Sequence, residues 1–150
     1  MISPRRWLSR GEAETERLGR ELAAEVAPDG VLLLSGELGS GKTVLTRGVA
    51  AALGIDPRQV QSPTFNLIRD HAGTGGRLIH VDLYRLEPAE AAALGLEEIL
   101  AGPGLKVVEW AERLPWPPPA GRRLHLVLRR LPAGGREVEE VSPPGADSMG

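Results

Sequence analysis

A glycine-rich octapeptide offers the clearest chemistry in this chain of 150 residues. Residues 36–43 fit the pattern G-x-x-x-x-G-K-[ST], a loop that binds the phosphates of a nucleoside triphosphate. Its glycines let the backbone approach the ligand, its lysine reaches the outer phosphates, and its threonine hydroxyl binds magnesium. The pattern predicts nucleotide contacts along Gly36, Glu37, Leu38, Gly39, Ser40, Gly41, Lys42, Thr43 and the adjoining Val44.

The segments beside this loop have the order that a phosphate-binding loop requires. Residues 31–34 form a short apolar run typical of a buried strand, and residues 43–53 have helical composition up to Gly54, a helix C-cap. A helix that begins at the loop directs the positive end of its dipole at the anion. Strand, loop and helix together predict an α/β fold of the P-loop NTPase class.

Two carboxylates on apolar strands are candidates for catalysis beside Lys42. Asp82 lies late in the predicted strand 78–84, and Glu109 lies at the end of the predicted strand 105–110. Ligands of open α/β sheets bind beyond the carboxyl ends of the strands. A carboxylate there can bind Mg²⁺, bind it through water, or orient the attacking water. We predict both acids as catalytic and metal-binding residues, with their division of roles open; a solvated loop acid is the alternative for each.

Other polar and aromatic residues give weaker signals. Thr64 could sense the γ-phosphate or the metal as part of a switch, or belong to a simple turn. Trp110 could stack on a ligand or a partner, or lie in the core. His80 alternates with Asp82 along one strand, a pattern more typical of a structural histidine. Arginine pairs that could meet RNA, or be solvated, occur at 5–6, 122–123 and 129–130.

The length of 150 residues favours one domain with a full core. The net charge of −2 argues against a protein built chiefly to hold nucleic acid, so we expect no DNA partner. There are no cysteines, no apolar run long enough to span a membrane and no signal-peptide core. We predict a cytoplasmic protein with a single P-loop ATPase domain over residues 1–141 and a disordered tail over residues 142–150.

The remaining patterns predict a mixed sheet. Glycine-rich turns at 72–76 and 134–135 separate apolar runs and indicate two antiparallel hairpins. A capping box from Ser9 to Glu12 opens a helix, and a second helix covers 90–100 with a break at Gly95. We therefore expect a central sheet with parallel core strands and antiparallel hairpins, and helices on both faces.

The ordered set of motifs resembles the TsaE family, which supplies the ATPase subunit for making threonylcarbamoyladenosine in bacterial tRNA. The resemblance is carried, in order, by the motifs at 36–43, 62–65, 80–85, 95–98 and 108–110. One departure is Val44, where many members of the family have a second threonine.

The resemblance implies specific roles at the site. Lys42 would bind the phosphates of ATP or ADP, Thr43 and Glu109 would bind Mg²⁺, and Asp82 would be the Walker-B-like acid. Thr64 would belong to a switch-like loop, and Trp110 would lie by the nucleotide or a partner. The segments that border the adenine would include Glu12 and Ala133.

The resemblance also implies partners, and other functions stay open. The partners would be the proteins TsaD and TsaB, with tRNA reached through their complex. One alternative is a small-molecule P-loop kinase, although no long insertion offers a lid. Another is a nucleotide-gated interaction module with little turnover. A GTP switch is disfavoured because no Asn-Lys-x-Asp segment occurs. No arginine is clearly placed as an arginine finger on the γ-phosphate. We therefore expect a weak, Mg²⁺-dependent ATPase that partners stimulate.

Overall fold

The chain folds as a seven-stranded sheet with helices on its two faces. The computed structural model describes residues 5–61, 68–85, 87, 89–90, 95–114 and 121–141. The strands are β1 (Arg6–Ser9), β2 (Val31–Ser35), β3 (Ile68–Gly73), β4 (Gly76–Asp82), β5 (Leu105–Glu109), β6 (Arg123–Arg130) and β7 (Arg136–Val141). The helices are α1 (Glu12–Val26), α2 (Lys42–Ala52) and α3 (Leu96–Ala101), with short 3₁₀ turns at Pro57–Gln59 and Ala111–Arg113.

The strand order is β1-β7-β6-β2-β5-β4-β3. The four central strands β6, β2, β5 and β4 are parallel, and the outer pairs are antiparallel. The mixed sheet and both hairpins are therefore confirmed. Because the parallel strands end at one edge of the sheet, the residues that follow β2 lie near those that end β4 and β5.

Alternation along the strands divides the core between two faces. Leu32 and Leu34 of β2 pack with α1 and α2, whereas Val31 and Leu33 pack with α3 on the other face. A strand that is buried on both faces reads as a continuous apolar run, which explains the sequence of β2.

Helices α1 and α2 approach so closely that glycine is needed at their contact. A Cβ added at Gly19 would lie 2.1 Å from the carbonyl oxygen of Leu45, and one added at Gly48 would lie 2.0 Å from that of Glu16. Larger residues would push the helices apart. This contact fixes α2, and with it the loop that precedes it, against the rest of the domain.

The structure differs from the sequence-based expectations at the start of α1. The helix begins at Glu12, later than a Ser9 cap implies; its N-cap is Gly11, and no side chain caps it. The Ser9 hydroxyl donates to the Gly11 carbonyl at 2.8 Å, and Glu14, rather than Glu12, accepts the Arg10 N–H at 3.0 Å. The predicted capping box is thus wrong, because Ser9 belongs to strand β1 and does not cap the helix. Strand β1 has no clear sequence pattern.

Two other expectations concern the second predicted helix and the C-terminal tail. Gly95, with φ of 68°, is the N-cap of α3, at the position where the predicted helix 90–100 was expected to break; residues 91–94 of that helix lie outside the described residues. The tail 142–150 lies outside the described residues. Within the described ranges, the structure contains no helix with the length and apolar character that crossing a membrane requires.

Candidate functional site

The glycine-rich loop joins the end of β2 to the start of α2, as the pattern predicts. Gly36 has φ of 146° and Gly41 has φ of 107°, values that residues with a side chain rarely adopt. A Cβ at Gly36 would also lie 2.4 Å from the Leu128 carbonyl oxygen. The loop is therefore a tight backbone cradle, and the N–H groups in the first turn of α2 have no intrahelical acceptors.

The Lys42 side chain folds back into this cradle. Its ammonium donates to the carbonyl oxygens of Gly36 and Glu37, the latter at 2.9 Å, and to the Ser40 hydroxyl at 3.4 Å. Only 5% of Lys42 is exposed. Burial lowers the pKa of Lys42, and the charge of Glu109 opposes that effect. The ammonium is thus held inside the loop by weak acceptors that an anion could replace.

The two predicted acids lie side by side at the ends of β4 and β5. Asp82 and Glu109 are partners in the parallel pairing, and both are buried. Both carboxyl oxygens of Glu109 accept from the Thr43 hydroxyl, at 3.2 and 3.4 Å. The oxygen Oδ1 of Asp82 accepts the Tyr84 N–H at 2.9 Å. The structure therefore brings Lys42, Thr43, Asp82 and Glu109 to one edge of the sheet.

Asp82 is held in an environment that disfavours its charge. Burial raises the pKa of this carboxyl, the Tyr84 N–H opposes the rise, and the nearby charge of Glu109 adds to it. Within the described residues no group of three or more histidines, cysteines or carboxylates surrounds a metal position. Magnesium bound mainly by phosphates, one hydroxyl and one or two carboxylates needs no such group.

Replacing Asp82 by asparagine should raise the melting temperature at neutral pH. Between the ordinary and the raised pKa of Asp82, the folded chain binds more protons than the unfolded chain. The free energy of unfolding therefore falls as the pH rises through that interval. Asparagine keeps the acceptor for the Tyr84 N–H and removes the charge. Thermal unfolding at about pH 7 and about pH 3.5 would measure the gain, which should shrink at the acidic pH. A lower melting temperature for Asp82→Asn at neutral pH would contradict the assigned environment.

Trp110 follows Glu109 and covers the cradle. Its backbone is left-handed, with φ of 60°, and among the described residues it is the one non-glycine in that conformation. The Lys42 ammonium lies 4.3 Å from the centroid of its ring, and the Tyr84 ring centroid lies 4.9 Å away. The guanidinium of Arg113 lies 5.9 Å from both rings. Trp110 thus contacts Lys42 and also packs, partly buried, against the core on the α3 side, so its role at a ligand stays a prediction.

The residues implied at the adenine lie on segments next to the loop. Glu12 begins α1, and Ala133 lies in the turn between β6 and β7. That turn packs beside the start of α1, since a Cβ on Gly135 would lie 2.7 Å from the Ser9 carbonyl oxygen. The role of Glu12 and Ala133 at the adenine rests on this placement alone and stays a prediction. Thr64 lies outside the described residues.

Sequence reasoning missed several neighbours of the loop. Thr15 of α1 and Arg136 of β7 lie within 4 Å of the position that a Gly41 Cβ would take. The Arg130 guanidinium lies 3.5 Å from the corresponding position at Gly39. His80 forms a short contact with Glu109, as described below. The folding of α1, β6 and β7 around the loop brings Thr15, Arg130 and Arg136 there, and the pairing of β4 with β5 brings His80, so no local pattern could reveal these contacts.

Three of the six arginines in the predicted pairs form ion pairs with other described residues of the chain. Arg5 binds Glu25 and Glu140, Arg6 binds Glu139, and Arg129 contacts Glu137 and Glu139. Surface ion pairs of this kind contribute little to stability. Pairs this weak do not prevent an arginine from meeting RNA, so both alternatives for these arginines stay open.

Comparison with known proteins gives consistent results. The family model described as "Threonylcarbamoyl adenosine biosynthesis protein TsaE" matches residues 9–138. A protein of Bacillus subtilis strain 168 is 39% identical over 137 residues, covering 89% of this chain and 82% of the relative. One of Nostoc sp. is 40% identical over 131 residues, covering 83% and 78%. Both are named "tRNA threonylcarbamoyladenosine biosynthesis protein TsaE".

A solved structure has the same fold. The crystal structure of YdiB from Bacillus subtilis superposes with a TM-score of 0.72 at 32% sequence identity. The match covers 99% of this chain and 92% of the YdiB chain. The likeness therefore extends over the sheet, the glycine-rich loop and the helices together.

Proposed function

Because this chain belongs to the TsaE family, we propose that it is an ATP-binding and ATP-hydrolysing subunit for threonylcarbamoyladenosine formation in tRNA. The single observation that carries the ATPase assignment is the convergence of Lys42, Thr43 and Glu109 at the start of α2. Lysine, hydroxyl and carboxylate are the groups that P-loop NTPases use on phosphate and metal.

The binding step follows from the present contacts of Lys42. Phosphate oxygens are stronger acceptors for an ammonium than the carbonyl oxygens of Gly36 and Glu37. On binding, Lys42 exchanges these carbonyls for the outer phosphates, and the first-turn N–H groups of α2 donate to the same anion. The ring of Trp110 then lies beside the ligand rather than over the bare ammonium.

The donor set at the loop fits magnesium. Thr43 and Glu109 present hard oxygen atoms within 3.2 Å of each other, and Asp82 is the neighbouring carboxylate. When bound, Mg²⁺ neutralises charge that develops on the phosphate oxygens. Thr43 and Glu109 would hold it, and Asp82 would bind it through water or orient the attacking water.

The biological setting is also part of the proposal. We place the protein in the cytoplasm, where its partners TsaD and TsaB would bind it and present tRNA. Residues 1–141 form the ATPase domain. Thr64 and Trp110 are the elements that we expect to respond to docking, Thr64 by sensing phosphate and Trp110 through its contact with Lys42.

The isolated chain should hydrolyse ATP slowly, and TsaB with TsaD should accelerate it. An arginine finger supplied by another protein raises phosphoryl-transfer rates by about 10³–10⁵-fold, so even partial completion of the site gives a measurable increase. Steady-state phosphate release would be measured for the chain alone and with both proteins at saturating concentration. Fast turnover by the isolated chain, unchanged when both proteins are added, would favour a self-contained hydrolase or kinase. Nucleotide binding without any turnover would favour an interaction module.

A further inference from the structure

His80 is a buried polar residue that the proposed mechanism does not use. It lies in the middle of β4, is 0% exposed, and shares a face with Asp82 and with Leu78, which packs in the core beside α1 and α2. In the parallel pairing its partner is Val107, two residues before Glu109. The imidazole therefore lies beneath the carboxylate, on the core side of the site.

The imidazole and the Thr43 hydroxyl hold the Glu109 carboxylate from two sides. The distance from His80 Nε2 to Glu109 Oε2 is 2.5 Å, and the hydroxyl contacts both carboxyl oxygens. Glu109 is only 3% exposed. A carboxylate with both neighbours in place has little rotational freedom.

The accepting carboxylate, rather than the other ring nitrogen, indicates which atom carries the proton. His80 Nδ1 is buried and has no hydrogen-bond partner among the described residues. An ionised carboxylate only accepts, so the proton of the contact belongs to Nε2. A hydrocarbon side chain would fill this core position without leaving Nδ1 unpaired. The bond to Glu109 is therefore the one described interaction that a hydrocarbon could not reproduce.

We propose that His80 is a positioning residue that keeps the Glu109 carboxylate against Thr43, in the orientation that binds the metal. Lys42 is the competing partner, because Glu109 is the charged group that acts most strongly on its ammonium. Without His80, Glu109 would turn toward Lys42 and withdraw from the metal. This inference rests on the proposed function, since it assumes that nucleotide and magnesium bind at the loop.

The effect should appear in how much magnesium strengthens nucleotide binding. Partners that orient metal ligands typically contribute 10–100-fold to metal affinity. In EDTA, we expect ADP to bind His80→Leu as tightly as it binds the wild type. The gain in ADP affinity on adding Mg²⁺ should be smaller by about 10–100-fold. His80→Gln, which places an amide donor near the Nε2 position, should restore part of the gain. His71→Leu, on the neighbouring edge strand β3, is the control: His71 lies near His80 but has no described hydrogen bond to Glu109, so this variant should keep all of the gain.

Titration calorimetry of ADP with and without Mg²⁺, with a melting curve for each variant, makes these measurements. A folded His80→Leu protein with the full magnesium gain would overturn the proposal. Failure of the proposed function would give a different result, because the wild type would then bind no ADP in either buffer. Both proposals would then be wrong.

If His80→Leu does not fold, a measurement on the wild-type chain tests the proposal instead. Long-range ¹H–¹⁵N NMR on its three histidines should find His80 with a proton on Nε2. A His80 ring whose Nε2 carries no proton would overturn the proposal.

Discussion

Replacing Glu109 by glutamine should reduce ATP hydrolysis by about 10²–10³-fold, while ADP binding without magnesium changes little. The variant keeps the shape and the acceptor oxygen that face Thr43 and His80, but it loses the charge that we propose for binding the metal. That charge acts mainly in the transition state, where negative charge moves over the phosphate oxygens. Phosphate release at saturating ATP, with partners present, and calorimetry with ADP would measure the two effects.

Two further variants make this result specific. Glu21→Gln, on an exposed position of α1, removes the same charge away from the loop and should keep the wild-type rate. Asp82→Asn should also reduce hydrolysis more than ADP binding, because Asp82 neighbours Glu109 in the sheet. Wild-type rates for both Asp82→Asn and Glu109→Gln would remove both acids from the site.

Replacing Lys42 by alanine should weaken ADP and ATP binding by about 10²-fold or more and leave the fold intact. Charge-assisted hydrogen bonds to phosphate are among the strong ones, and the carbonyl oxygens that Lys42 now contacts lie in a loop next to solvent. Calorimetry with both nucleotides, beside a melting curve, tests the expectation. Unchanged affinity would remove the glycine-rich loop from the account.

The chain supplies its own control, because Lys106 is its other lysine. Lys106 is 1% exposed, and its ammonium donates to the carbonyl oxygens of Asp29 and Gly102 at the opposite end of the sheet. Burial lowers the pKa of both lysines. Lys106→Ala should therefore cost about 2–4 kcal/mol of stability and leave nucleotide affinity near that of the wild type. The two substitutions should thus give opposite results in the same pair of measurements.

The parts of the site that follow from local sequence could be predicted. A glycine loop between an apolar run and a helix is a contiguous pattern, so the positions of Lys42 and Thr43 follow from it. Asp82 and Glu109 were found because parallel strands end at one edge, which is a property of the fold class. Each of these inferences needs only neighbours in sequence or a general rule of topology.

The parts that depend on pairing between distant strands could not be predicted. His80 alternates with Asp82 in sequence, but only the register of β4 against β5 brings its ring to Glu109, 29 residues later. Strand β1 has only four residues and forms by pairing with β7, and this pairing removes Ser9 from the expected cap. The left-handed backbone of Trp110 likewise has no sequence signature, since that conformation usually belongs to glycine.

The most direct test of the central claim measures phosphate release and threonylcarbamoyladenosine in one reaction that contains TsaB, TsaD and tRNA. Mass spectrometry of the tRNA nucleosides counts the modified adenosines formed per complex. We predict repeated rounds of modification, accompanied by ATP hydrolysis, with the wild-type chain, and a halt of both with Glu109→Gln. Repeated modification without this chain, or at an equal rate with Glu109→Gln, would contradict the account.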